Sequence, residues 1–305
     1  MRALAPGKVV LSGAHAVLEG APAIVSAVSR YVVADAARPA SFVTPEVRAA
    51  LGDSPALWFD ATALRDDGRK LGLGSSAAIL VASLAALRLR AGSAEPAELC
   101  AAVLEPALTA HAAAQGGGSG VDVAASAHGG TLLARLRAAR LEVERVKLPD
   151  LVHLELWACG QSASTPELLA AVRQLRQRSS DRHRALLGAQ ADAAEAAARA
   201  LLENGAAGFV DALSEQHECL YRLGQAAHVP IVTPEVRELH REARRAGAVV
   251  LPAGAGGGDI ALYAGPAAPP RLLMRRMGEL GYLRLDDTTL SAPGVHGIPT
   301  PLDAE

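Results

Sequence analysis

The sequence contains very few lysines, aromatic residues and cysteines. Among its 305 residues there are three lysines, Lys8, Lys70 and Lys147, and the other 27 basic residues are arginine. Only nine residues are aromatic although half of the chain is hydrophobic, because alanine supplies much of the apolar content. Three cysteines without a CxxC pair provide neither a disulfide framework nor a zinc site. Since lysine is so rare here, the positions of the three lysines carry information.

An excess of one charge and a long apolar run are also missing. The net charge of −2 provides no basic field for non-specific nucleic-acid binding. The longest apolar run, residues 77–87, is shorter than the roughly 20 residues that span a membrane. The N-terminus reaches Pro6 and Gly7 too early for a signal peptide. We therefore expect a soluble, cytoplasmic protein with no nucleic-acid or membrane partner.

The first half of the chain mixes predicted strands and helices. Apolar, β-branched segments predict strands at 8–12 and 24–35, and alternation predicts a strand pair at 131–135 and 141–147. Helices are predicted over 77–90 and over about 96–114, the second ending in the glycine run 116–120. The character of the chain changes after Pro149. We place a domain boundary near residue 150.

The second half has an order typical of a split βαβ sandwich. Predicted strands at 152–158, 248–251, 259–264 and 282–286 are separated by long helices and by a helix near 271–280. Thr165 and Thr233 are each followed by Pro and Glu, which is a helix-start signal. The predicted fold class is therefore α+β, with extra helices inserted in the second domain.

Three glycine-rich segments are candidates for chemistry. Residues 70–78 (KLGLGSSAA) open into a helix, where small residues let backbone N–H groups approach an anion and serine hydroxyls reach a phosphate or Mg²⁺. The segment is not a Walker A loop, and an ordinary serine-capped loop is the alternative. The second segment, residues 252–259, has four glycines between two predicted strands. The third, residues 116–122, ends in Asp122, and an aspartate next to glycines is usually a cap or turn residue.

Three segments in this order resemble the motifs of the GHMP kinase superfamily. Residues 5–13 with 15–20 resemble the first motif, residues 72–78 the second and residues 254–259 the third. The resemblance implies a two-domain architecture: an N-terminal ATP-binding domain, 1–150, of α/β type with the phosphate loop, and a C-terminal domain, 151–305, with a ferredoxin-like split βαβ fold and extra helices.

Within the superfamily, four stretches resemble the phosphomevalonate kinases: residues 70–78, 118–126, 162–165 and 254–259. This resemblance implies transfer of the γ-phosphoryl group of ATP, with Mg²⁺, onto 5-phosphomevalonate, by a monomer or a homodimer. A GHMP kinase with another small acceptor, such as mevalonate or a sugar, is the first alternative. A catalytically silent ligand-binding relative is the second, because Ala14 stands where the family usually has a glutamate.

The resemblance also implies roles for individual residues. Lys8 would neutralise charge between donor and acceptor, Asp122 would orient or deprotonate the accepting phosphate, and Ser76 would lie near the metal. The implied nucleotide-binding residues are Lys70, Gly72, Leu73, Gly74, Ser75, Ser76 and Ala77. The implied acceptor-binding residues are Lys8, His15, Ser119, Gly120, Asp122, Ser164, Thr165, Gly256 and Gly257. For a helix-borne metal ligand, His111 occupies about the expected place and Glu105 is the alternative; a packed histidine and a surface glutamate are the simpler interpretations.

Overall fold

The computed structural model describes residues 1–66, 68–92, 96–159 and 165–298. The strands in these residues are β1 (Arg2–Ser12), β2 (Ala23–Pro39), β3 (Leu57–Asp60), β4 (Arg65–Asp66), β5 (Arg69–Lys70), β6 (Thr131–Arg137), β7 (Arg140–Val146), β8 (His153–Ala158), β9 (Val249–Pro252), β10 (Ile260–Gly265), β11 (Leu283–Arg284) and β12 (His296–Ile298). The helices are α1 (Pro45–Leu51), α2 (Ser75–Arg90), α3 (Pro96–Gln115), α4 (Val121–His128), α5 (Thr165–Arg178), α6 (Ser180–Leu202), α7 (Ala206–Ala227), α8 (Pro234–Arg244) and α9 (Arg271–Glu279).

The chain divides into two compact units that alternate along the sequence. The first consists of Met1–Val9, Val25–Leu132 and the C-terminal segment from Thr288, and the second of Val10–Ile24 and Leu133–Asp287. This division differs from the expected single boundary near residue 150. One cause is that the chain end returns to the first unit, where β12 pairs antiparallel with the start of β1.

The first unit is built around a buried helix. Every side chain from residue 77 to residue 86 of α2 is buried, which is the pattern of a helix surrounded by protein. It packs against α1, α3 and α4. In this unit β12 pairs antiparallel with the start of β1, and β3 pairs antiparallel with β2.

The second unit contains a four-stranded antiparallel sheet in the order β11-β8-β10-β9. Numbered along the chain, these strands lie in the order 4-1-3-2, with α5–α8 between the first and second strands and α9 between the third and fourth. The predicted split βαβ arrangement with inserted helices is confirmed. Its buried core includes Trp157, Leu220, Leu239, Tyr263 and Met277. Burying side chains of this size stabilises a fold by about 1.5–3 kcal/mol each.

Local sequence signals account for several element ends. Thr233 precedes α8, and its Oγ1 accepts a hydrogen bond from the Val236 N–H at 3.3 Å, with Pro234 at the first helical position. The sequence pattern does not predict the short helix α4, which follows directly on the glycine run that ends α3. No helix in the described part of the chain is long and apolar enough to cross a membrane.

Candidate active site

The glycine-serine loop leads directly into α2. Gly74 is the N-cap residue, with a φ of 75° in the left-handed region that favours glycine. Ser75 and Ser76 form the start of the helix, where the first four backbone N–H groups have no partner inside the helix. The N-terminus of a buried helix therefore faces this loop with free donors and the positive end of its dipole, an arrangement that suits a phosphate group.

Strand β1 brings Lys8 against this loop. The backbone N–H of Lys8 donates to the Leu73 carbonyl oxygen at 2.8 Å. A Cβ atom on Gly74 would lie 2.7 Å from Cε of Lys8, and a Cβ on Gly7 would lie 2.7 Å from the Leu73 carbonyl oxygen. Two glycines therefore permit this close approach: Gly7 lets the loop reach the strand, and Gly74 leaves room for the lysine side chain.

The ammonium group of Lys8 pairs with the carboxylate of Asp122. Lys8 Nζ lies 3.3 Å from Asp122 Oδ2, and the two side chains are 11% and 32% exposed. Asp122 lies in the first turn of α4, which begins after Gly120 at a φ of 76°. Ser119 Oγ accepts from the Val121 N–H at 3.5 Å, at the outer limit for a hydrogen bond. The structure thus joins the first and second motifs and Asp122 in one place.

A buried carboxylate that the sequence did not reveal lies beside Ser76. Glu46, from α1, is 4% exposed, and its Oε1 accepts a hydrogen bond from Gln115 Nε2 at 2.7 Å. Its Oε2 is buried and has no hydrogen-bond partner among the described residues. Burial would raise the pKa of Glu46, but a hydrogen bond from its own backbone N–H and that from Gln115 outweigh burial and lower it. The side chains of Thr44 and Ser76 act in the same direction, so Glu46 is charged at neutral pH.

In the second unit, His15 ties the first motif to the third. Its Nε2 donates to the carbonyl oxygen of Ala255 at 3.0 Å, and its Nδ1 is buried without a hydrogen-bond partner in the described residues. Burial lowers the pKa of His15, against the smaller opposing effect of the bond to Ala255. The imidazole is therefore neutral at physiological pH.

Two buried glutamines that the sequence analysis missed hold the backbone next to His15. Gln216 Oε1 accepts from the Gly13 N–H at 2.8 Å, and Gln216 Nε2 donates to Ser12 Oγ at 2.8 Å. Gln190 Nε2 donates to the Ala14 carbonyl oxygen at 3.3 Å. Their only sequence signal is a glutamine on the apolar face of an alanine- or leucine-rich helix. These bonds fix the main chain at Gly13 and Ala14, directly before His15.

The glycines of the third motif pack against backbone. A Cβ on Gly256 would lie 2.3 Å from the Ile231 carbonyl oxygen, and the Gly257 N–H donates to that oxygen at 2.9 Å. Gly256 is therefore required by the approach of the segment between α7 and α8. This backbone contact accounts for a glycine at position 256 without requiring a bound ligand.

The other predicted site residues lie in different surroundings. Lys70 is exposed in β5, opposite Arg65 in β4. Leu73 and Ala77 are buried, so only their backbone atoms can contact a nucleotide.

His111 is partly buried and Glu105 is exposed on α3. Ser164 lies outside the described residues, and so does the side chain of Thr165, the first residue of α5.

Comparison with known proteins shows relatives among small-molecule kinases. No protein-family model matches the chain. It is 29% identical over 236 residues to a phosphomevalonate kinase of Streptomyces sp. (strain CL190), covering 68% of this chain and 61% of that protein. It is 28% identical over 279 residues to a mevalonate kinase of Archaeoglobus fulgidus, covering 85% of this chain and 90% of that one. The matched region thus spans less than two thirds of the Streptomyces protein.

The fold is shared with a solved structure of this group. The Streptococcus pneumoniae phosphomevalonate kinase in complex with phosphomevalonate and AMPPNP superposes with a TM-score of 0.75 at 20% identity, covering 95% of this chain and 99% of that one. The chain is thus similar in sequence and in fold to kinases of mevalonate and phosphomevalonate. Its fold is that of the solved phosphomevalonate kinase, and the two proteins it resembles in sequence are a phosphomevalonate kinase and a mevalonate kinase.

Proposed function

We propose that this GHMP kinase relative transfers the γ-phosphoryl group of ATP onto the phosphate of 5-phosphomevalonate. The observation that carries the proposal is the Lys8–Asp122 pair at 3.3 Å, with Lys8 packed against Gly74 at the start of α2. The similarity to the Streptomyces phosphomevalonate kinase supports the choice of acceptor. Phosphoryl transfer requires positioning and positive charge more than covalent chemistry.

Lys8 and Asp122 would have different roles at the reacting phosphates. An acceptor phosphate is largely ionised at neutral pH, so it needs a base less than an alcohol does. It needs a cation more, because two anions must approach each other. The ammonium group of Lys8 would supply that charge, and the Asp122 carboxylate would hold Lys8 in place and orient the acceptor. The free N–H groups at Gly74–Ser76 would bind the donor phosphates.

The residues beside the loop fit a magnesium ion. The buried Oε2 of Glu46, which has no hydrogen-bond partner among the described residues, and the hydroxyl of Ser76 are oxygen ligands, which Mg²⁺ prefers. Ser76 and Glu46 would hold the ion, whose charge neutralises the phosphate oxygens when it is bound. Glu46 would then be the helix-borne metal ligand, the role for which the sequence suggested His111 or Glu105.

Measuring ADP release with Mg·ATP and a panel of acceptors tests the proposal. The panel contains phosphomevalonate, mevalonate, diphosphomevalonate, galactose and homoserine, and a reaction without acceptor gives the background ATPase rate. We expect the highest kcat/KM with phosphomevalonate. Turnover on mevalonate alone would overturn the proposal, and no turnover with any acceptor would favour a silent relative.

Mevalonate is the second candidate acceptor. The observation in its favour is that the match to the Archaeoglobus mevalonate kinase spans 90% of that protein, against 61% for the Streptomyces phosphomevalonate kinase. With an alcohol as acceptor, Asp122 would have to take a proton. Activity on mevalonate should then depend on pH more strongly than activity on phosphomevalonate.

A further inference from the structure

Two buried histidines in the second unit lie outside all the motifs. His217 of α7 and His240 of α8 stack with their ring centroids 3.7 Å apart and their planes 8° from parallel. His217 is 0% exposed and His240 is 1% exposed. Both side chains are polar and fully buried, so their hydrogen bonding has to be accounted for.

Most of the ring nitrogens in this pair are unsatisfied. His217 Nδ1 donates to the Val250 carbonyl oxygen at 2.9 Å, which leaves a lone pair on Nε2. Within the described residues, His217 Nε2 and both nitrogens of His240 have no hydrogen-bond partner. A buried polar group without a partner costs about 1–3 kcal/mol. The Nδ1–H bond to a backbone carbonyl is also the contact that usually orients a metal-binding histidine.

A carboxylate lies at the open side of the pair. Glu218 Oε1 is 4.0 Å from His240 Nε2, and the Glu218 side chain is 26% exposed. Burial, as the largest cause, lowers the pKa of His217 to about 3 and that of His240 to about 4. Both rings are therefore neutral at physiological pH and offer lone pairs, the form in which histidine binds metals.

We propose that His217, His240 and Glu218 form a binding site for a borderline divalent metal ion of the Zn²⁺ class. One ligand atom from each of the three residues lies within 4.8 Å of the others. Two imidazoles with one carboxylate and an open position form a familiar ligand set for such ions. The ion would satisfy lone pairs that no described residue satisfies.

Binding requires a small rearrangement. Ligand atoms around one tetrahedral Zn²⁺ lie about 3.4 Å apart, so Glu218 must move closer and the two rings must turn out of their parallel stack until their lone pairs converge. In the structure, Arg237 Nη1 donates to both carboxylate oxygens of Glu218, at 3.2 Å from each. Arg237 therefore competes with the ion, and the charge of Arg244 nearby also opposes it.

The site would connect elements that support the third motif. It joins α7 to α8 next to Val250 of β9, and β9 leads into the glycine loop at 254–258. Ile231, between α7 and α8, contacts Gly256 in that loop. A bound ion would thus stabilise the α7–α8 connection against which the loop packs.

Zinc titration of the purified, chelator-treated full chain tests the site, with calorimetry for affinity and thermal unfolding for stability. We expect one saturable site per chain and a rise in Tm with ZnCl₂. Glu218→Gln should weaken binding at least about tenfold, whereas Arg237→Gln should tighten it by releasing Glu218. His228→Asn, an exposed histidine at the end of the same helix, is the matched control and should bind like the wild type.

His240→Phe separates the metal site from a purely packing role. The substitution keeps a flat ring against His217 and removes both unsatisfied nitrogens, so the variant should be at least as stable as the wild type without metal. It should lose the rise in Tm on addition of Zn²⁺, and Co²⁺ should no longer give the d–d absorption of a tetrahedral site. Zinc affinity unchanged in His240→Phe or in Glu218→Gln, no saturable site in the wild type, or weaker binding in Arg237→Gln would each overturn the proposal.

Discussion

Lys8 reaches Asp122 because residue 74 has no side chain. The Lys8 side chain passes the position that a Cβ of residue 74 would occupy, and its ammonium group then lies 3.3 Å from the carboxylate. Lys8 is also one of three lysines in a chain that otherwise uses arginine. A compact ammonium group fits the space beside Gly74, whereas the planar guanidinium of arginine is wider and binds carboxylates in a different geometry.

Replacing either member of the ion pair should remove activity and leave the fold. We expect Lys8→Ala and Asp122→Asn each to reduce kcat by about 10²-fold or more, the scale of single catalytic groups. Lys147→Ala, which removes an exposed lysine, is the control and should retain activity. Circular dichroism and Tm measured beside kcat decide the interpretation, because variants that no longer fold would indicate a structural pair instead.

Gly74→Ala should affect activity beyond its effect on stability. Its Cβ adds strain at a positive φ, about 1–2 kcal/mol, and also displaces Lys8. Gly281→Ala is the matched control, since Gly281 has a similar φ of 80° with nothing within 4 Å of the added atom. Both variants should lose similar stability in urea unfolding, and only Gly74→Ala should lose turnover. Equal turnover in the two variants would contradict this role of Gly74.

At the scale of elements, helix α7 provides hydrogen bonds to neighbouring segments as well as apolar packing in the core. Gln216 and His217 are consecutive, yet Gln216 holds the backbone of the first motif and His217 faces α8 and β9. Successive helix positions point in different directions, so one helix contacts two neighbours. The α7 sequence therefore reflects contacts on both sides, which its helical periodicity alone does not identify.

Removing the Gln216 amide should destabilise the second unit. Gln216→Met keeps the length of the side chain but leaves the Gly13 N–H and the Ser12 hydroxyl without their partner. We expect a loss of about 1–3 kcal/mol and a Tm lower by several degrees. Gln225→Met, an exposed position on the same helix, should change Tm by much less. Similar Tm values for both variants would show that the buried amide contributes little.

At the scale of the whole molecule, buried histidines make stability depend on pH. The pKa values of His217 and His240 fall to about 3 and about 4, chiefly through burial, while both residues titrate near 6.5 in an unfolded chain. Between about pH 6.5 and 4 the unfolded chain binds more protons than the folded chain. Stability from these groups is therefore fully present above about pH 6.5 and decreases as the pH falls through this range.

Urea unfolding at about pH 7.5, 6 and 5 measures this dependence. The free energy of unfolding should fall at each step toward acid. His240→Phe, with one fewer buried imidazole, should lose less stability over the same range than the wild type. A wild-type stability that stays constant between pH 7.5 and 5 would contradict the assignment of neutral, buried rings.

Much of the fold followed from local patterns. The Thr233-Pro234-Glu235 signal predicted the start of α8, and the strand and helix order in the second half predicted the split βαβ arrangement. Helix α4 was missed because it is eight residues long and follows directly on a glycine run. The pairing of β12 with β1 joins segments that are far apart in the sequence, and no local pattern encodes it.

The sequence by itself indicated many of the strands and helices and the three glycine-rich segments, since periodicity, capping and glycine content act between near neighbours. It also singled out Lys8 and Asp122 as candidates. Only the tertiary structure decided that these two side chains form an ion pair, that Glu46 lies beside Ser76, and that two histidines stack under β9. Those contacts join residues far apart in the chain, so they depend on how the elements pack and not on the spacing of residues along it.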